Sequence, residues 1–305
     1  VMVIDKPKGL SSHDVIYRVR RGLHLKCIGH TGTLDPFATG VLVLCIGKAT
    51  RLQQFFVGGD KEYLARVRLG FATDTYDLTG KRMEAPTTVN HVQLEELEKV
   101  IGEFRGEQEQ VPPMFSAKKK DGVKLYRLAR RGEVVERQPI KVIIHEIELL
   151  DENGRKIIAN PDGTADVTLR VKCSAGTYIR TLAHDIGQRL GCGAHLVDLR
   201  RTAAGEFRIE AAIGLEAFEQ LAKEGKAPEL IIPLSRLLTE MPQITLSEEE
   251  AWRITHGQGL RRIAPTEGKY VRLVDAQGRL VAVGENLQGS GFIQPRVVLD
   301  SETRS

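Results

Sequence analysis

Apolar residues recur along this chain at two spacings, one helical and one of strand type, and the two alternate from the first residues onward. The opening "VMVIDKPKGLSSHDVIYRVRR" sets a short apolar run before a Pro/Gly turn. Ser11 and Ser12 then stand where they cap a helix starting near His13. Val15, Ile16, Val19 and Leu23 give that helix an apolar stripe, with Arg18, Arg20 and Arg21 around it. "VLVLCIG" reads as a buried strand and "EYLARVRLG" as a half-buried one, while "QLEELEKVIGEF" puts Leu94, Leu97, Val100 and Ile101 on one helical face. Farther on, "KVIIHEIELL" and "DVTLRVKCS" are strand-like and "TYIRTLAHDIGQRL" is helical by its apolar spacing. Strands and helices joined by long connections predict a mixed core of helices and sheet.

Two stretches break this texture. From Val111 to Gly132 no period is sustained, and a Pro-Pro pair, a Lys triplet and an Arg-Arg pair predict an exposed excursion. Near "LTEMPQITLSEEEA" the pattern shifts to short β units. "YVRLVDAQGRLVAVGE" is two alternating runs around a Gly-containing turn, the signature of a hairpin. The predicted division is therefore a larger unit over 1–240, carrying an insertion at about 111–135, and a small, mainly β unit over 241–305.

At 305 residues the chain is long enough for two domains on the prior of one per ~150 residues. An apolar share of 41% with 28% charged residues is that of a globular protein and excludes a disordered chain. The net charge of +4 names no partner, but its distribution does more. Between Ser116 and Lys141 nine Lys/Arg face three Asp/Glu, so the basic charge is concentrated in the excursion and the remainder is slightly acidic.

Cys27, Cys45, Cys173 and Cys192 show neither a C-x-x-C pair nor a histidine at zinc-ligand spacing, so free thiols in a reducing cytoplasm are expected. No signal peptide is recognisable. The longest apolar run, Val41 to Ile46, is far short of the ~20 residues that span a bilayer, so no membrane association is expected. The chain opens on Val1 rather than Met, and a short preceding segment is expected.

Several motifs fail on spacing. In "GVLVLCIGKAT" six residues rather than four separate Gly40 from Gly47, and Ala49 stands where a P-loop needs Ser or Thr. "GCGAHL" lacks the third glycine of a dinucleotide fingerprint, "HEIEL" has no second histidine for zinc, and no Gly-x-Ser-x-Gly elbow occurs. What remains is chemistry without a metal or cofactor.

"GHTGTLDPFATG" stands out because a single carboxylate, Asp35, sits in a loop of glycines and threonines. Pro36 biases Asp35 toward extended geometry. Gly32 and Gly40 allow the backbone to turn and come close to a ligand. On these residues alone the commoner role is an Asx turn, the carboxylate bonding its own backbone.

Six stretches occurring in order resolve the choice. "DKPKGLSSHDV", "GHTGTLDPFATGVLVLCIGKATR", "KEYLARVRLG", "VPPMFSAKKKDGVKLYRLARRG", "CSAGTYIRTLAHDIG" and "LRRTAAGEF" together resemble the TruB family of tRNA pseudouridine synthases along nearly the whole larger unit. The tail resembles a PUA domain, a small β-barrel RNA-binding module. The resemblance implies an α+β fold with a mixed-sheet catalytic core. The implied activity is cofactor-free isomerisation of the T-loop uridine at tRNA position 55. It makes Asp35 the catalytic acid and Arg180 its counter-ion, and from a guanidinium within ~4–6 Å a carboxyl pKa lowered by about 1–3 units is expected.

The resemblance also sets Tyr63 against the flipped base, with its phenol a candidate for the C5 proton step. Leu199 and Tyr178 line the same slot, and His30 meets RNA where the base had been stacked. The basic excursion corresponds to a thumb that clamps the T arm, with Lys118, Lys119, Lys124, Tyr126 and Arg130 as the expected contacts. A monomer without bound metal, partnered by tRNA, completes the expectation. Two other classes fit parts of the chain: a non-catalytic tRNA-binding or tRNA-folding protein, and a small-molecule enzyme using Asp35 as an ordinary nucleophile. The concentrated basic charge and the PUA-like tail speak against the second.

Overall fold

The structure is a computed structural model. It describes residues 1–83, 87, 89, 92–115, 119–120, 123–124, 131, 133, 135–261, 268–287 and 290–299, with the backbone alone at 119, 120, 123 and 124. In chain order the strands are β1 (Met2–Lys6), β2 (Ile28–His30), β3 (Thr39–Ile46), β4 (Lys61–Leu69), β5 (Gly106–Gln110), β6 (Lys119–Lys120), β7 (Val123–Lys124), β8 (Ile140–Leu150) and β9 (Ile158–Ala159). There follow β10 (Ala165–Cys173), β11 (Ala194–Ala204), β12 (Phe207–Arg208), β13 (Ile213–Gly214), β14 (Gln243–Thr245), β15 (Leu260–Arg261), β16 (Tyr270–Val274), β17 (Leu280–Leu287) and β18 (Phe292–Val298).

Eleven strands form one mixed sheet whose main path runs β13-β1-β3-β11-β4-β10-β8-β5. β1 with β13 and β3 with β11 are parallel, and the remaining neighbours are antiparallel. The fold is therefore of the α+β class. β4 occupies the middle of the sheet and alternates as its sequence predicts, with Lys61, Tyr63, Ala65, Val67 and Leu69 buried. A large apolar cluster builds on that face, from Tyr63, Ala65 and Val67 to Val167, Val171, Leu196, Ile179 and Leu182.

The first helix, Ser12–Leu23, starts one residue earlier than its spacing suggests. Ser11 caps it and closes a capping box with Asp14. Val15, Ile16 and Val19 pack against Phe218 of the helix Leu215–Lys223, an element that the apolar pattern does not single out. The helix Ile179–Arg189 lies where "TYIRTLAHDIGQRL" predicts it, with Ile179, Leu182, Ala183 and Ile186 buried.

A second sheet, ordered β14-β16-β17-β18-β15, carries the predicted hairpin as β16 and β17. The helix Glu248–Thr255 packs beside it, and Ile254 joins Ile244, Leu260, Val271 and Leu273 in a cluster of its own. A further cluster is common to both sheets, joining Val41, Val43 and Cys45 to Val274, Leu280, Val283, Val297 and Leu299. The small β unit thus rests on the larger one through a shared apolar layer. Among the described residues no helix is long and apolar enough to cross a membrane.

Within the expected excursion β6 and β7 pair as a short hairpin. Lys118, Tyr126 and Arg130 lie outside the described residues, as do the side chains of Lys119 and Lys124. The near root of the excursion is well tied. Gln110 and Tyr178 exchange two hydrogen bonds, Gln110 Nε2 donating to the Tyr178 carbonyl and the Tyr178 N–H to Gln110 Oε1, and Thr181 Oγ1 donates to the Val111 carbonyl.

Candidate active site

Asp35 lies in the loop between β2 and β3, and the structure explains why that loop is rich in glycine. Gly40 has a φ of 100°, and a Cβ there would come 2.2 Å from the Arg201 carbonyl oxygen of β11. The close approach that glycine permits is therefore to a neighbouring strand rather than to a ligand, which corrects the expectation for Gly40. It pulls the loop down onto the sheet. Lys6, fully buried, reinforces it from behind by donating to the carbonyls of Pro7, Leu10 and Pro36. Burial brings the Lys6 ammonium down to about 8, with Asp35 opposing the shift.

Asp35 does not close an Asx turn. Its carboxylate faces Arg180, whose Nε lies 3.0 Å from Oδ2 and whose Nη2 donates to Oδ1 at 3.3 Å. Arg180 opens the helix Ile179–Arg189, and its guanidinium is fully engaged. Nη1 donates to Asp77 Oδ2 at 3.2 Å and to the Thr75 carbonyl, and Nη2 also donates to the Phe115 carbonyl at 2.7 Å. Four hydrogen bonds from the two Nη groups, with the Nε–Asp35 ion pair, engage the whole planar fork, which a lysine cannot reproduce. The Arg180 side chain is 6% exposed and that of Asp35 34%, so the cation is locked in protein while the acid opens toward the pocket.

Asp77 is the partner of Arg180 that sequence reasoning missed. Its side chain is buried, and Oδ1 accepts from Thr75 Oγ1, Thr79 Oγ1 and the Thr79 N–H. The signal lay in "TDTYDLTG", where threonines bracket an acid, a pattern as common in ordinary turns. With Asp77 in place, Arg180 bridges two carboxylates. Burial pushes the Asp35 carboxyl above its ordinary value, against the pull of Arg180, and the Asp77 charge adds to the rise. The expected lowering by Arg180 is present, and the larger effect of desolvation sets the net direction.

A cavity of about 280 Å³ gathers five of the expected residues: Asp35, Tyr63, Tyr178, Arg180 and Leu199. The register supplies the reason. Tyr63 of β4 pairs with Arg201 of β11, and Leu199 pairs with Ala65, so β4 and β11 present these side chains on one face. Arg201 donates to the Val41 carbonyl and the Gly32 carbonyl, tying the Asp35 loop to the same strand. Burial raises the Tyr63 phenol, with Arg201 opposing, so the ring enters the pocket protonated.

His30 is placed differently. It lines an adjoining groove of about 690 Å³ with His13, Pro36 and Phe37, a groove that shares Asp35 and Arg180 with the cavity. Asp35 thus stands on the wall between a small slot and a larger groove. Among the described residues no group of three or more His, Cys, Asp or Glu side chains is arranged to hold a metal.

Comparison with known proteins agrees along the whole chain. Family models described as TruB family pseudouridylate synthase (N terminal domain), tRNA pseudouridylate synthase B C-terminal domain, and Pseudouridine synthase II TruB, C-terminal, match residues 20–179, 180–242 and 242–299. The chain is 44% identical to tRNA pseudouridine synthase B of Stutzerimonas stutzeri, with 99% of this chain and 96% of that protein covered. It is 45% identical to the protein of the same name from Solibacter usitatus, with 93% and 94% covered. Among solved structures it is similar to the crystal structure of a Cbf5-Nop10-Gar1 complex, with a TM-score of 0.72, 27% identity, and coverage of 98% of this chain and 84% of that one. A structure of an H/ACA RNP bound to a substrate RNA containing 2'-deoxyuridine matches with a TM-score of 0.71 and 26% identity, covering 99% of this chain and 85% of that one. By these matches, and by a site assembled from the residues its motifs point to, this chain belongs to the TruB family of pseudouridylate synthases.

Proposed function

We propose that this chain isomerises a uridine of tRNA, the T-loop uridine at position 55, to pseudouridine. The observation that carries the reading is the Asp35–Arg180 contact at the edge of a slot that also holds Tyr63 and Leu199. The reaction cleaves N1–C1′, turns the base in place and joins C5 to C1′. No atom is gained or lost, so it needs no redox partner or energy source.

A flipped nucleotide enters the slot from the RNA side, leaving His30 and the adjoining groove against the loop it came from. Flipping costs a few kcal/mol, and stacking on the Tyr63 ring returns roughly 1–3 kcal/mol. Arg180 holds the Asp35 carboxylate against the sugar, Leu199 and Tyr178 close the slot, and the Tyr63 phenol is assigned to the C5 proton step. The basic excursion, rooted on the same helix as Arg180, grips the T-arm phosphates and supplies affinity with little sequence content. We assign residues 1–240 to catalysis and 241–305 to a PUA-like RNA-binding unit, with a monomer working in the cytoplasm on tRNA.

The test is incubation of the protein with a T-arm stem-loop followed by nucleoside analysis for pseudouridine. RNA that binds but yields no pseudouridine would leave a tRNA-binding protein and remove the enzyme.

A further inference from the structure

Beside the pocket, the Tyr76 ring stacks on the His184 imidazole with centroids 3.9 Å apart and planes 16° from parallel. Neither residue lines the slot or the groove. Their neighbours in sequence do: Tyr76 precedes Asp77, and His184 follows Arg180 by one helical turn on the same face. The Thr73–Gly80 turn and the helix Ile179–Arg189 therefore meet at two levels, once through Arg180, which reaches Asp77 at 3.2 Å and the Thr75 carbonyl at 3.3 Å, and once through the ring stack one helical turn farther along.

We propose that the Tyr76–His184 stack is a positioning device that fixes the Arg180–Asp77 pair and, through Arg180, the orientation of Asp35. The inference rests on the reading of the pocket as a pseudouridine-forming site.

Three observations carry it. The bonds to Asp77 and the Thr75 carbonyl all converge on the one guanidinium of Arg180, so the turn and the helix could still rotate about that point; the ring stack one turn along the helix adds an attachment away from it. Tyr76 also holds a φ of 62°, in the left-handed region that a bulky side chain rarely adopts and a glycine adopts freely. A tyrosine at such a position is costly for the backbone, so its ring must contribute something that glycine lacks. The strained residue is clipped on both sides, its N–H donating to the Thr73 carbonyl at 3.1 Å and its carbonyl accepting from the Leu196 N–H at 3.0 Å. Finally, His184 Nδ1 is buried with no hydrogen-bond partner among the described residues, and burial lowers the pKa of the ring, keeping it neutral. On its Nδ1 side the imidazole offers the tyrosine a flat surface and no hydrogen bond.

The test compares Tyr76→Gly, Tyr76→Phe and His184→Ala in the full chain, with wild type alongside, on a T-arm stem-loop. Tyr76→Gly suits the backbone and removes only the ring, so the melting temperature is expected to hold. Its kcat is expected to fall about tenfold, with KM within roughly twofold, as for a small misplacement of a catalytic group. Tyr76→Phe keeps the ring and is expected to keep wild-type kcat. His184→Ala is expected to match Tyr76→Gly, and the double variant to lose no more than either single one. Wild-type kcat in Tyr76→Gly, or a loss in Tyr76→Phe as large as in Tyr76→Gly, overturns the proposal. If Tyr76→Gly does not fold, His184→Ala decides alone, with His184→Phe as the ring-retaining rescue. Absence of pseudouridine with wild type strikes the functional reading itself, a result distinguishable from wild type and variants that are equally active.

Discussion

Arg180 and Asp35 are 145 residues apart in the chain, yet Arg180 Nε lies 3.0 Å from Asp35 Oδ2 and Arg180 Nη2 reaches the other oxygen. A surface ion pair of this kind contributes at most about 1 kcal/mol. This one has its cation buried and its anion open to a cavity, an arrangement that favours holding a reactive group over stabilising the fold. Asp35→Asn keeps the shape and a hydrogen-bond acceptor but removes the charge. Turnover is expected to fall by more than about 10³-fold, in line with loss of a central catalytic group. Binding of T-arm RNA is expected to stay within a few-fold of wild type, as measured by filter binding.

The pH profile follows from the direction of the Asp35 shift. In the proposed role Asp35 acts ionised, so activity is expected to fall as pH drops through the Asp35 value, which burial holds above 3.8. The sign for stability is the opposite of the usual aspartate. The folded state binds this proton more tightly than the unfolded chain, so the contribution of Asp35 to stability declines as pH rises through the same window. At pH 7 Asp35→Asn relieves that cost but leaves Arg180 paired with Asp77 alone, so its melting temperature is expected to fall by less than that of Asp77→Ala. An acid limb at or below pH 3.8 would contradict the burial of this carboxyl.

Asp77 bears on both the fold and the rate. Asp77→Ala leaves a buried guanidinium with half its charge compensation, a change that costs about 3–5 kcal/mol, or roughly 6–20 °C in melting temperature. The remaining Asp35 loses a like-charged neighbour, so the acid limb of any residual activity is expected to move to lower pH. Arg180→Lys preserves charge but not the five-donor fork, and its kcat is expected to drop at least about 100-fold. Both are read from kcat against pH, with melting curves alongside.

The contrast between Asp35 and Asp77 shows what was legible in the sequence. Asp35 sits in a run whose neighbours have few other reasons to occur together, and the six motifs placed Tyr63, Tyr178, Arg180 and Leu199 with it; the register of β4 against β11 then brings them into one slot. Asp77 and the role of Tyr76 were hidden because each depends on a contact more than 100 residues away, with Arg180 and His184 respectively. Local elements such as β4, β10 and the helix capped by Ser11 follow from period and capping. The order of an eleven-stranded sheet does not, since β1 reaches β13 and β3 reaches β11 through contacts that no local pattern records.

Tyr63 separates stacking from proton chemistry. Its ring is buried, its phenol is held protonated, and Arg201 lies beside it. Tyr63→Leu removes the aromatic face and is expected to weaken RNA binding by roughly 1–3 kcal/mol. Tyr63→Phe keeps the face and removes the phenol. Binding near wild type with a loss of product formation is expected for that variant, and full activity would remove the phenol from the C5 step.

Salt is the probe of the clamp. Ser116 to Lys141 holds nine Lys/Arg against three Asp/Glu, and its root is bonded to the helix that carries Arg180. If that segment grips phosphates, counterions are released on binding and the affinity falls as a power of the salt concentration. Four phosphate contacts to a partly single-stranded loop correspond to roughly a 50-fold loss between 50 and 200 mM salt. Replacing Lys118, Lys119, Lys124 and Arg130 with Gln is expected to flatten that slope and weaken binding uniformly across T-arm sequences, while single-turnover kcat at saturating RNA changes little. A Kd that is the same at both salt concentrations in the wild-type protein would mean that the basic segment is a solvated face and that the grip on the T arm lies elsewhere.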